Sequence, residues 1–314
     1  MLAIIGIIFP VFAAIGLGYA TVWRGLFSQA DLRILGRFVL NIALPGLIFN
    51  AVAGSELSQA MRPDWMLIYA LTSVCTLAIT YFAFTAMGAE PTRRAIAAMG
   101  AACPNSGYVA YPILLLALPA VAGQTFAMAV VVENFFIVPL TIVISDLATG
   151  NRDRKFYQII GPILWGVIKR PMIIALLLGM AMAAFGIHLP APIQRFMSML
   201  ANATAAVALF VIGGSLFGLG LRGNVAAAAK VAIAKLFLHP AIGLAMVTIA
   251  FALGIDQMGP DLRAALLITC ATPMMGIYTI LAQEYGHEGM ASIAMLIATV
   301  GAFFTYSGLL FLLM

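Results

Sequence analysis

Arg94-Ala-Ile-Ala-Ala-Met-Gly-Ala-Ala-Cys-Pro-Asn-Ser-Gly107 and Arg263-Ala-Ala-Leu-Leu-Ile-Thr-Cys-Ala-Thr-Pro-Met-Met-Gly276 read as two versions of one segment. In each, an arginine stands ten residues before a proline, Pro104 or Pro273, and a glycine follows three residues later. Ala95/Ala264 and Ala102/Ala271 match as well. Ten residues of helix climb about 15 Å, half of a hydrocarbon core of roughly 30 Å. An arginine held at the membrane surface therefore puts each proline near the midplane. Proline-interrupted spans at corresponding places in two chain halves are the best sequence pointer to the binding site of a secondary transporter.

The surrounding composition calls for lipid. Hydrophobic residues make up 64% of the 314 and charged residues 9%, with a mean hydropathy of +1.09, outside the range of soluble domains. The expected fold class is an all-α, multi-pass membrane protein with almost no mass outside the bilayer. The net charge of +5 is scattered over short loops and points to neither nucleic acid nor an acidic partner. The first span lacks a basic leader and a small-x-small cleavage site, so it is expected to be retained as a helix. Cys75, Cys103 and Cys270 lie inside apolar runs, which argues against disulfides and against a zinc site; Cys103 and Cys270, which flank the two breaks, read as buried, inert thiols.

Hydropathy gives ten transmembrane helices, near residues 3–22, 36–53, 65–87, 94–118, 123–147, 171–187, 195–217, 226–253, 263–283 and 290–313. The most polar stretch, Thr149 to Gln158, separates two five-helix halves, residues 1–150 and 151–314. An amphipathic piece from Gly161 to Pro171 is expected to lie in the interface before the sixth span. Thirteen of the sixteen basic residues, Arg94 and Lys235 among them, fall on loops after odd-numbered spans or on nearby span ends; Arg62, Arg195 and Arg263 fall opposite. That asymmetry puts the odd loops in the cytoplasm and both termini in the periplasm. Five is odd, so the second half enters the membrane upside down. The result is a 5+5 inverted-topology repeat whose two Pro-broken helices approach one midplane from opposite faces. Asn41, Phe49 and Gly54-Ser55 in the second span also resemble Asn202, Phe210 and Gly213-Gly214-Ser215 in the seventh. Such small residues fit the same repeat or simply close helix packing.

The breaks have a chemistry of their own. Pro104 withholds a donor from the Gly100 carbonyl and Pro273 from that of Thr269. Beyond each proline a half-helix begins, and the N–H groups of Asn105, Ser106 and Gly107, and of Met274, Met275 and Gly276, are expected to lack partners. Two helix N-termini meeting at the midplane favour an anion, a carboxylate above all. The substrate-binding candidates are Pro104, Asn105, Ser106, Gly107, Tyr108, Pro273, Met274, Met275 and Gly276, with Tyr111 as an aromatic wall. Asn50 either faces them from the second span or bridges helices. Ordinary kinks satisfied by neighbouring helices are the alternative reading. Glu133 is the only acidic side chain near mid-depth. A charge there costs about 2.5–3.5 kcal/mol on insertion scales, so it is expected to be protonated or paired. It reads either as a proton-coupling carboxyl or as a structural partner of Asn134 or a neighbouring helix. Lys230 and Lys235 are expected to snorkel to the cytoplasmic surface.

Leu44-Pro45, Pro104-Asn-Ser-Gly-Tyr108, Lys235-Leu-Phe-Leu-His-Pro240 and Thr272-Pro273 together resemble a bacterial member of the auxin efflux carrier family. That family sits within the wider group of PIN-type auxin carriers and bile-acid sodium symporters, and the likeness extends over essentially the whole chain. It implies a mobile transport core of spans 3–5 and 8–10 and a scaffold of spans 1, 2, 6 and 7. It also implies a homodimer formed through spans 2 and 7 and elevator-type transport across the inner membrane. Two departures stand out. The long cytoplasmic loop of canal-forming plant proteins is absent, and the second break reads Pro273-Met274-Met275 without the asparagine expected in auxin carriers, which speaks against auxin itself.

Three functions follow for comparison. The first is secondary transport of small organic anions (carboxylates such as malonate or malate, or auxin-like acids), with H+ or Na+ as coupling ion. The second is sodium-coupled transport of bile-acid-type anions, weakened because the core offers few carboxylates as sodium ligands. The third is an intramembrane enzyme. His188, His239 and His287 read as isolated, and His-Glu-x-x-His, Gly-x-Ser-x-Gly and paired intramembrane aspartates do not occur. Without a nucleotide-binding loop, ATP-driven pumping within this chain is excluded too. The chain therefore reads as a transporter rather than an enzyme, with no cofactor.

Overall fold

The computed structural model describes residues 2–53, 61–150, 156–187, 189–218 and 223–313. Gly54 and Ser55, the 151–155 stretch of the polar loop, His188 and Arg222 lie outside the described residues. Among the described residues the chain is all helix. The helices are α1 (Leu2–Trp23), α2 (Gln29–Ala53), α3 (Pro63–Ala86), α4 (Pro91–Ala102), α5 (Ser106–Ala117), α6 (Pro119–Ala148) and α7 (Phe156–Ile168). After them come α8 (Pro171–Phe185), α9 (Ala191–Leu216), α10 (Val225–Ala252), α11 (Pro260–Cys270), α12 (Tyr278–Glu284) and α13 (Glu288–Leu313). Among the described residues 7 helices are long and apolar enough to cross a bilayer, or 8 if a bent pair, Gly161–Ile168 of α7 with α8, is one span. That pair bends by 65°. The stretches 94–118 and 263–283 are each divided into two short helices by a break at the proline.

Local chemistry sets the ends and bends of these helices. α2 begins seven residues before the hydropathic span because Ser28 and Asp31 form a reciprocal cap: the Asp31 N–H donates to Ser28 Oγ at 3.2 Å and the Ser28 N–H to the Asp31 carboxylate at 2.8 Å. Among the described residues there are four π-helical turns: Val39–Ala43, Glu133–Ile137 and Ala234–Leu238 lie within longer helices, and Ser106–Ala110 opens α5. Each ends two residues before a proline: Pro45, Pro112, Pro139 and Pro240. A helical proline lacks a donor and its ring collides with the carbonyl four residues back. One extra residue in the preceding turn moves that carbonyl aside. Turns of this kind gather at functional sites.

Two compact units emerge. The first comprises Met1–Pro63, Gly107–Met128 and Gly166–Gly218. Its α1 and α9 touch backbone to backbone: a Cβ at Gly18 would lie 2.0 Å from the Phe210 carbonyl oxygen, and one at Gly213 only 1.8 Å from that of Ile15. The Gly213-Gly214 cluster is thus a close-packing surface. The second unit comprises Asp64–Ser106, Ala129–Trp165 and Leu219–Met314. Within it α4 packs against the Val138–Ala148 end of α6 and against α10 and α12, while α10 and α12 pack against α13. Large apolar side chains such as Phe82, Phe185 and Phe304 are exposed, whereas Thr72, Ser73 and Thr76 of α3 are fully buried. That inversion of the soluble pattern suits a lipid solvent.

Candidate functional site

Both broken segments start alike. α4 and α11 open with a proline at the first helical position, Pro91 and Pro260, followed three residues later by Arg94 and Arg263. Arg94 Nε donates to the Ala89 carbonyl at 2.5 Å, and Arg263 Nε meets the Asp256 carboxylate at 2.7 Å with its guanidinium over the Phe251 ring. Each helix then runs to its break, and the breaks pair with each other. Pro104 and Met274 form an isolated antiparallel bridge: the Asn105 N–H donates to the Pro273 carbonyl at 2.9 Å, and the Met275 N–H to the Cys103 carbonyl at 3.0 Å. The Asn105 N–H also reaches Thr272 Oγ1 at 3.2 Å. The Thr269 carbonyl, denied its usual partner by Pro273, accepts the Thr272 hydroxyl at 2.9 Å.

This corrects one expectation. The N–H groups of Asn105 and Met275 are not open to a ligand; each break satisfies the other. Orphaned backbone groups in hydrocarbon cost several kcal/mol each, and mutual pairing removes that cost. The crossing is tightened further by Gly100, where a Cβ would fall 2.6 Å from the Tyr278 ring; the Tyr278 hydroxyl donates to the Ile96 carbonyl at 3.1 Å.

The candidate residues separate into groups. Pro104, Asn105, Ser106, Pro273 and Met274 are buried at the crossing, Met275 is half-buried, and Gly276 is exposed with open space around its Cα. Asn50, Gly107 and Tyr108 belong to the first unit. There the Tyr108 hydroxyl donates to the Gly36 carbonyl of α2 at 3.1 Å, and Tyr111 packs on Phe126 with ring centroids 5.6 Å apart. Gly107 lies beside Leu44 and Phe126, and Asn50 is half-buried on α2.

Glu133 opens the π-helical turn of α6, and its Oε1 accepts two hydrogen bonds, from the Tyr69 hydroxyl at 2.6 Å and from the Ser106 hydroxyl. Asn134 instead turns its amide to the Val130 carbonyl at 2.9 Å. The carboxyl is therefore tied to the first break through Ser106.

Lys235 requires a second correction. It does not snorkel: it is fully buried, with Nζ 2.7 Å from His239 Nδ1 and 2.8 Å from the Cys270 carbonyl. Cys270 ends α11, so its carbonyl is one that the break leaves without an intrahelical partner, and a cation at a helix C-terminus is stabilising. His239, read as isolated, pairs with Lys235 and contacts Ser73 Oγ through Nε2 at 3.4 Å. Lys230, by contrast, is exposed.

Tyr69 and Ser73 sit one turn apart on α3, so one helix face serves Glu133 beside the first break and the Lys235–His239 pair beside the second. Neither α3 residue was singled out from the sequence. The available signal was the run Tyr69, Thr72, Ser73, Thr76 and Thr80, hydroxyls at helical spacing in an otherwise apolar span. Thr72 and Thr76 satisfy themselves on carbonyls four residues back.

A family model described as membrane transport protein matches residues 3–310. The chain belongs to the membrane transport protein family. The match bears out the resemblance to auxin efflux carriers read from Pro104–Tyr108 and Lys235–Pro240, and it agrees with the reading as a transporter rather than an enzyme. Among curated relatives of this membrane transport protein, one from Rhizobium meliloti (strain 1021) is named "Putative malonate transporter" and is 28% identical over 100% of this chain and 97% of its own. Another, "Uncharacterized transporter YfdV" from Escherichia coli (strain K12), is 21% identical over 67% of each chain.

Proposed function

We propose that this membrane transport protein carries small organic anions across the inner membrane, with dicarboxylates such as malonate or malate as first candidates and auxin-like acids as a wider class. The anion binds at the crossing of the two broken segments, between Asn105-Ser106 and Met275-Gly276, and Glu133 carries the coupled proton. One observation carries this reading: the antiparallel joint at Pro104 and Met274 is flanked by a carboxyl on Ser106 and by a buried lysine on the Cys270 carbonyl. The Lys235 ammonium offers attraction for an anion, and Glu133 can cancel its own repulsion by taking a proton. The relative whose name carries malonate supports the choice of substrate.

The antiparallel sense of the joint and the matched proline and arginine registers support an inverted 5+5 repeat of ten spans, with both termini periplasmic. Spans 3–5 and 8–10 are then the moving elevator core, and spans 1, 2, 6 and 7 the scaffold of a homodimer. Exposed amides on apolar helices, Asn41 of α2 and Asn202 of α9, favour a partner surface over lipid on spans 2 and 7.

Sodium coupling is the second reading, and Lys235 weighs against it. A sodium ion needs several oxygen ligands, and the Cys270 carbonyl already accepts from an ammonium. Thermal unfolding of purified protein with malonate, malate or a bile acid, in potassium or sodium buffer, tests the choice. A ligand at a hundred times its Kd stabilises by about 2.7 kcal/mol. Malonate or malate should raise the midpoint equally in both buffers. Stabilisation confined to a bile acid in sodium would reverse the assignment.

A further inference from the structure

Glu133 Oε1 accepts from two hydroxyls, Tyr69 of α3 and Ser106 at the start of α5. A serine has a single hydroxyl proton and donates one hydrogen bond at a time. While Glu133 is ionised, that proton is committed to the carboxylate, and Ser106 turns only lone pairs toward the break. A carboxylate substrate would meet oxygen facing oxygen. When a proton from solution settles on Oε1, the bond reverses: the carboxyl O–H donates to Ser106 Oγ, and the serine proton swings out to donate to the anion. Tyr69 donates to Oε1 in both states and so keeps the carboxyl facing Ser106.

We propose, on the proposed reading of the site, that Ser106 is an anion-binding residue whose reversible hydrogen bond to Glu133 makes tight anion binding wait on protonation of that carboxyl. One proton is taken up with one anion, and it returns to solution when the anion leaves. No covalent bond to the substrate forms or breaks. This supplies a physical route to symport at a site where a helix N-terminus alone would bind anions at any pH.

The groups around Glu133 are few enough to separate the effects. Tyr69 and Ser73 face inward from α3, Ser106 from the first break, and Lys235 with His239 from α10, while the Cys103 and Cys270 thiols lie in the two breaks; the field of Lys235 also reaches the carboxyl. Neutralising Glu133 relieves repulsion on any nearby anion whether or not Ser106 is present. The switch adds a directional bond that only the protonated state offers.

Malonate titration of the purified protein by calorimetry, at mildly acidic and mildly alkaline pH, distinguishes the two contributions. Ser106→Ala should weaken binding about ten- to a hundred-fold at acidic pH, the size of one hydrogen bond to a charged group, and leave the weaker alkaline binding nearly unchanged. Its pH dependence is then flattened. Ser106→Thr keeps a hydroxyl and should retain the wild-type profile. Should Ser106→Ala not fold, Ser106→Cys, with its weak S–H donor, reads the same difference. Equal weakening at both pH values, or a wild-type pH profile in Ser106→Ala, overturns the switch and leaves the anion site standing. A wild-type protein that binds no organic acid at either pH overturns both.

Discussion

Asn105 shows how much one position can be asked to do. Its backbone N–H is spent on the Pro273 carbonyl, so any role in binding falls to the side chain, buried to 6% exposure beside the joint. Replacing it with alanine leaves that backbone joint intact. Asn105→Ala is therefore expected to fold with a near-native unfolding midpoint and to lose about ten- to a hundred-fold in malonate affinity, one hydrogen bond to a charged group. Calorimetric titration checks this; unchanged affinity in a well-folded variant would move the site elsewhere. Lys235 marks the limit of reading single residues. Hydropathy reports how long an apolar run is, not how deep a lysine in it lies, and a span of 28 residues leaves room for snorkelling. The counter-signal was His239, four residues on and hence on the same helix face.

At the scale of elements, glycines separate tight joints from open ones. Gly213 lies where α9 meets the α1 backbone, and its Cβ would enter the Ile15 carbonyl, so Gly213→Ala must push two helices apart. Overpacking of this kind costs about 1–3 kcal/mol, seen as a lowered unfolding midpoint. Gly276, with open space around it and no positive φ, should accept alanine with little change. Equal stability of the two variants would contradict the packing described. The breaks themselves were legible because a proline and an arginine in fixed register leave a mark on the sequence. Their mutual pairing was not legible. Backbone hydrogen bonds between residues some 170 positions apart have no periodicity, and the N–H groups of Asn105 and Met275 were vacant only within their own helices. The role of α3 was hidden for a related reason: Ser73 looks like a hydroxyl that could satisfy itself on a carbonyl four residues back, as Thr72 and Thr76 do, and Tyr69 like an aromatic of the core.

For the whole molecule, orientation and coupling are what the account must get right. Removing buried Lys235 from the thirteen basic residues that the sequence assigns to the cytoplasmic side leaves twelve against three, so the asymmetry survives its correction. Cysteines introduced at Asn151 and at the C-terminus should label with an impermeant maleimide from opposite sides of the membrane, and labelling from one side would end the inverted-repeat model. Coupling is tested most directly by uptake of radiolabelled malonate into proteoliposomes under an imposed proton gradient. Wild-type protein should accumulate malonate without sodium. Glu133→Gln, which keeps the shape of a protonated carboxyl but cannot release a proton, should bind and exchange malonate yet fail to accumulate it. Accumulation by Glu133→Gln against the malonate gradient, with wild-type pH dependence, would contradict the assignment of Glu133 as the coupling group.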